Sequence, residues 1–160
     1  MFSAVYEALL LPPTHTQLAK AKDVVARRDR SGAIAALFPD IHVDQEGSKA
    51  SFLPQIDHEG QPGWVQGGFV ATVLDYVCAH AATTAFGAQA ITGNLSVRYG
   101  APVLIDAGHY MVQASVVSGL DGRESLSLRR SLRVNGSMCN ADGECVVTAS
   151  GLFIRRRPAV

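Results

Sequence analysis

The chain is 160 residues long, and its 14 basic residues are balanced by 14 acidic ones, which argues against a polyanion such as nucleic acid as the main partner. That length predicts one domain able to bury a core without disulfides or metals. Hydrophobic residues make up 48% of the chain and charged ones only 18%, more apolar surface than a small monomer needs, so a homodimer or homotetramer is expected. Three cysteines without CxxC spacing give neither a disulfide framework nor a zinc signature; Cys78, Cys139 and Cys145 read as small apolar residues in a reducing compartment. No basic residue precedes the short Ala8 to Leu11 run and no cleavage site follows it, so a cytoplasmic protein is expected.

Residues 1–40 read as a helical extension. Pro12-Pro13 breaks a first short helix, Thr14 or Thr16 caps a second reaching about Arg30, and Ser31 to Phe38 forms a short turn ended by Pro39. From Ile41 the period changes to two. Ile41 to Asp44 and Lys49 to Leu53, joined near Glu46-Gly47, read as a hairpin, followed by a polar, glycine- and proline-rich loop from Gln55 to Gly63.

From Gln66 to about Phe86 there is no proline, and alanines, valines and leucine predict a buried helix about 30 Å long. Val70, Val73, Leu74, Val77 and Ala81 form an apolar stripe. Gly68, Ala71, Thr72, Asp75, Cys78, Ala79 and Ala82 form a second face of mostly small residues that lets a ligand or another backbone approach Asp75. The segment is long enough to span a bilayer, but a mid-bilayer aspartate costs about 2.5 to 3.5 kcal/mol, so a soluble core helix is expected, with no membrane partner. Gly67-Gly68 is unfavourable inside a helix and suitable at its first turn, where unpaired N–H groups and the positive end of the dipole favour an anion.

Strands dominate the remainder. Ala90 to Tyr99 alternates, with Ile91, Leu95, Val97 and Tyr99 on one side and Thr92, Asn94, Ser96 and Arg98 on the other. His109 to Ser118 follows, and Asp121-Gly122 predicts a hairpin turn into a strand from Arg123 to Val134, on which Arg130 shares a face with Leu126, Leu128, Leu132 and Val134. Asn135-Gly136 and Asp142-Gly143 bracket a looser loop, and Glu144 to Ile154 is the last strand. The economical arrangement is α+β, one long helix wrapped by an antiparallel sheet of five to six strands.

The order of elements and the spacing from Gln66-Gly67-Gly68 to Asp75 resemble the hot-dog fold thioesterases, specifically the phenylacetyl-CoA thioesterase-like branch, over about residues 40 to 155. That branch carries His-Gly-Gly, with an acidic residue eight positions after the first glycine. Thr92 to Pro102 resembles its next strand, and Asp121-Gly122-Arg123 its following turn. The resemblance implies a hot-dog thioesterase domain over residues 41–157 and an acyl-CoA substrate. It also implies no cofactor and no metal, and a site formed between two subunits. It implies further that the Gly67 N–H polarises the thioester carbonyl and that Asp75 is nucleophile or general base. Gln66 stands where the family has histidine, and Gly60 where relatives often have asparagine or glutamine; Gln61 supplies an amide one residue away. Gly68, Gln61, Thr92, Asn94 and Arg130 complete the candidate substrate-binding set.

Other readings compete. Asp75 could be a structural acid paired with Arg98 or Arg130. Cys78 reads as packing, since no histidine supports it on its face, and Arg155-Arg156-Arg157 as a solvated tail or a contact for coenzyme A phosphates. Three functions follow: a thioesterase for medium-chain or aryl acyl-CoA, a non-catalytic acyl-CoA-binding protein, and an enoyl-CoA hydratase or dehydratase, the last suggested by His58 and Pro62-Gly63.

Overall fold

The computed structural model describes residues 49–117 and 129–156. Its centre is α1, Gly67–Phe86, ended by Gly87 in the left-handed conformation (φ 59°), where its N–H reaches the Thr84 carbonyl. Five antiparallel strands wrap it: β1 (Lys49–Phe52), β4 (Ala90–Tyr99), β5 (Tyr110–Val116), β6 (Ser131–Cys139) and β7 (Cys145–Arg155), in the spatial order β1-β5-β6-β7-β4. A small hairpin of β2 (Glu59–Gln61) and β3 (Trp64–Val65) leads into the helix. This is the α+β hot-dog arrangement expected from the sequence. The helical extension over residues 1–40, the strand from Ile41 and the turn at Asp121-Gly122 lie outside the described residues.

Packing explains why the helix runs through the middle. Val70, Val73, Leu74, Val77 and Ala81 are all buried, and together with Phe52, Tyr110, Val112, Val134, Met138, Val147 and Phe153 they form one core. Each fully buried side chain of this kind contributes about 1.5–3 kcal/mol. The buried arc is wider than the stripe read from the sequence, because Ala71, Cys78 and Ala82 are buried as well. Of the small-residue face, Gly68, Thr72, Asp75 and Ala79 remain half-buried.

Three expectations are corrected. The segment Gln55 to Gly63 is not a plain loop: Ile56–His58 forms a 3-10 turn and Glu59–Gln61 the first strand of the small hairpin, with Gly63 (φ 79°) making its turn. Lys49–Phe52 is a strand as expected and pairs with β5, Phe52 opposite Tyr110, while the other half of its expected hairpin lies outside the described residues. Asn135-Gly136 does not open a loop; β6 continues through it to Cys139. The glycine is there for close approach, since a Cβ on Gly136 would lie 2.8 Å from Cys78 Sγ. Gly136→Ala should therefore lower stability by about 1–3 kcal/mol through overpacking, read from the denaturation midpoint, and the loss should shrink in a Cys78→Ala background. Finally, Cys139 and Cys145 are register partners across β6 and β7 and form a disulfide, leaving Cys78 as the free cysteine. The cysteines therefore no longer argue for a reducing compartment.

The alternation in β4 also changes phase. The register with β7 shifts between Thr92 and Asn94, leaving Gly93 as the extra residue of a bulge. Ile91 is consequently 51% exposed, while Thr92 ahead of the bulge and Leu95, Val97 and Tyr99 beyond it share the helix side.

Candidate active site

The helix start is built from β3 and its partner. Gln66 is the N-cap: its backbone N–H donates to the His58 carbonyl (2.8 Å), and its Oε1 accepts from Phe69 N–H (2.8 Å). Because an N–H donor requires the oxygen as acceptor, the amide orientation is fixed. Its Nε2 has no acceptor among the described residues, and neither have the N–H groups of Gly67 and Gly68. Gly60 faces Gln66 so closely that a Cβ there would lie 2.8 Å from Gln66 Cβ. The close approach of residue 66 leaves no room for a side chain at position 60.

A cleft of about 540 Å³ opens on this corner. Gly60, Gln61, Gln66 and Gly67 form its polar end, and Trp64, Val70, Tyr99, Pro102 and Val103 its apolar walls. Trp64 and Tyr99 were not among the sequence candidates. The signals were present, a tryptophan directly after Pro62-Gly63 and a tyrosine before Gly-Ala-Pro, but nothing in the strand pattern says that both turn toward Gly67. Tyr99 donates its hydroxyl to the Gly67 carbonyl at 2.6 Å.

Asp75 lies eight residues along the helix from Gly67. It is half-buried, and its one hydrogen-bond partner among the described residues is the Thr92 hydroxyl, which donates to Oδ1 at 2.8 Å. The bulge at Gly93 aims Thr92 at the helix. Burial raises the Asp75 pKa above the usual carboxylate value, and the Thr92 hydrogen bond brings it partly back. Among the described residues neither Arg98 nor Arg130 pairs with it; both are exposed. Cys78, one turn on, is pushed up to about 12 by burial and by the Asp75 charge, so it is no thiolate nucleophile.

The remaining candidates are dispersed. Asn94 has its Oδ1 on the Leu152 N–H (3.1 Å), tying β4 to β7 beside the bulge, and Arg130 sits just before β6 with its carbonyl accepting from Arg155 N–H. Arg156 is anchored to Gln89, and Arg157 lies outside the described residues. His58 accepts from Gln55 N–H through Nδ1, and its ring stacks on Phe69 with centroids 4.0 Å apart. Among the described residues no cluster of His, Cys, Asp and Glu could hold a metal.

No family model matches the chain, and no curated protein matches it in sequence. Solved structures do. A protein described as of the thioesterase superfamily is 29% identical with a TM-score of 0.58 over 71% of this chain, which spans only 54% of that relative. A thioesterase candidate from Ralstonia eutropha JMP134, described as phenylacetic acid degradation-related, is 24% identical with a TM-score of 0.61 over 83% of this chain and 97% of its own. A Bacillus halodurans protein solved with CoA is 19% identical with a TM-score of 0.66 over 94% of this chain and 99% of its own. By the motif at its central helix and by its three-dimensional likenesses, this chain is a hot-dog fold protein resembling the thioesterase superfamily.

Proposed function

We propose that the chain is an acyl-CoA thioesterase acting on a medium-chain or aryl acyl group. The observation that carries this reading is Asp75, a half-buried carboxylate held by one hydroxyl and no arginine, on the helix whose amide-lined start opens to an apolar cleft. Hydrolysis places negative charge on the thioester oxygen in its tetrahedral transition state. The Gly67 N–H and the Gln66 Nε2 are the donors suited to that charge, each such donor being worth about 2.7–4 kcal/mol. Asp75 then either attacks the carbonyl carbon, expelling the CoA thiolate and leaving an acyl-aspartyl anhydride that water hydrolyses, or takes the proton of the attacking water and passes it to the departing CoA sulfur.

Eight residues of helix separate Gly67 and Asp75 by about 12 Å along the axis, too far for one chain to bring both to a single carbonyl. The reading therefore requires a homodimer or a larger even assembly, in which Asp75 of one protomer faces the helix start of its partner. The acyl group would occupy the walls of Trp64, Val70 and Tyr99, and Gln61 and Gly68 would border its carbonyl end. The CoA-bound Bacillus halodurans neighbour supports the substrate class.

The test is a thiol-release panel over straight-chain and aryl acyl-CoAs, with Asp75→Asn run beside the wild type. Release abolished in the variant supports the reading. Acyl-CoA raising the melting temperature with no thiol released would favour instead a non-catalytic acyl-CoA binder, the reading that Gln66 and Gly60 in place of the family's polar residues would support. The hydratase reading would use His58, whose ring stacks on Phe69 and whose Nδ1 accepts from Gln55 N–H, and loss of enoyl absorbance would be its signature.

A further inference from the structure

The Tyr99 hydroxyl has a specific address. It donates to the carbonyl of Gly67 at 2.6 Å, and its ring lies over that residue, with Oη and two ring carbons 3.5–3.7 Å from where a Cβ on Gly67 would sit. The Gly67 carbonyl belongs to the same peptide unit as the Gly68 N–H. A donor on the oxygen of a peptide draws electron density toward that oxygen and makes the attached N–H a stronger donor, since linked hydrogen bonds polarise one another. The Gly67 and Gly68 N–H groups have no acceptor among the described residues, and Gly67 and Tyr99 both line the apolar cleft.

We infer that Tyr99 is a positioning residue of the site: its phenol fixes the first turn of α1 against β4 and polarises the Gly67–Gly68 peptide, so that Gly68 N–H joins Gly67 N–H in receiving the developing oxyanion. The inference rests on the thioesterase reading for the identity of the bound carbonyl. It adds a residue on a different strand, 32 positions away in sequence, whose effect on the reaction passes through a backbone amide. A purely structural tyrosine would hold the turn without altering the electronic state of a bound carbonyl.

Tyr99→Phe removes one hydroxyl and keeps the ring. Thiol release should fall about three- to tenfold in kcat with KM little changed, the range of one hydrogen bond's net worth. The readout independent of turnover is an acyl-CoA analogue in which CH2 replaces the thioester sulfur, labelled with carbon-13 at the resulting ketone. Bound to the wild type, its carbonyl resonance should move downfield of the free value, and Tyr99→Phe should bring it part of the way back. Should Tyr99→Phe fold poorly, 3-fluorotyrosine incorporated at position 99, with spectra taken at mildly acidic pH where the phenol keeps its proton, retains ring and hydroxyl, donates more strongly and should move the resonance further downfield.

A ketone resonance identical in wild type and Tyr99→Phe, or unmoved by the fluorinated residue, overturns the inference even where thiol release is normal. A Tyr99-dependent resonance in a wild type that releases no thiol sustains it and removes the hydrolytic reading instead.

Discussion

Replacing Asp75 with asparagine should lower acyl-CoA hydrolysis by about 10²- to 10⁴-fold, the contribution of a positioned acid–base group, without lowering the melting temperature. The stability half of the expectation follows from the direction of the pKa shift. Burial holds the folded-state value above the unfolded one. Between the two values the unfolded chain has released its proton and the folded chain has not, so stability falls as pH rises through that window and stays lower above it. Asparagine carries no such penalty. The two proteins should melt together in acid, and the variant should match or exceed the wild type near neutrality. The rate should climb with pH along a limb set by Asp75 above the ordinary carboxylate range. Thr92→Val removes the hydrogen bond that favours the charged form, and should move that limb to still higher pH. Thiol release at the wild-type rate from Asp75→Asn would end the thioesterase mechanism.

Gln66→Glu should reduce kcat by about 10²-fold or more while leaving stability equal or slightly higher. The carboxylate keeps the acceptor that caps Phe69 N–H, and a negative charge at a helix N-terminus is favourable. What disappears is the Nε2 donor, replaced by an anion beside the developing oxyanion. Gln66→Ser, a good cap too short to reach the substrate, is the uncharged control and should also lose activity. If both variants turn over normally, Gln66 is a cap and nothing more. Melting curves measured beside the thiol-release rates separate the two outcomes.

The helix was legible because its pattern is long and uninterrupted: Gln66 to Phe86 offers no breaker but the two glycines at its start, and Gly87 closes it. Strand β4 was legible in extent for the same reason. Its phase was not, because a bulge adds one residue without any change of period that a reader of the sequence could locate, and Gly93 looks like any other strand glycine. The Asn135-Gly136 pair misled because turn chemistry and close packing choose the same residue; only the position of Cys78 Sγ, brought by a helix some 60 residues earlier, tells them apart. The cysteine pair failed similarly: six residues of separation say little until the hairpin register sets Cys139 opposite Cys145. At the site, Asp75 and Thr92 could be named from motif and strand position. Tyr99 and Trp64 could not, since each reaches the cleft through tertiary folding alone.

The axial gap between Gly67 and Asp75 has a consequence for mixed populations. If each catalytic centre draws its donors from one subunit and its acid from the other, as the proposed function requires, Asp75→Asn and Gln66→Glu damage opposite halves. Co-refolded in equal amounts, two nearly dead proteins would pair at random, half of the dimers would be hybrids, and each hybrid would carry one undamaged centre and one doubly damaged one. About a quarter of the centres, and with them about a quarter of the wild-type rate, should return from parents that have almost none.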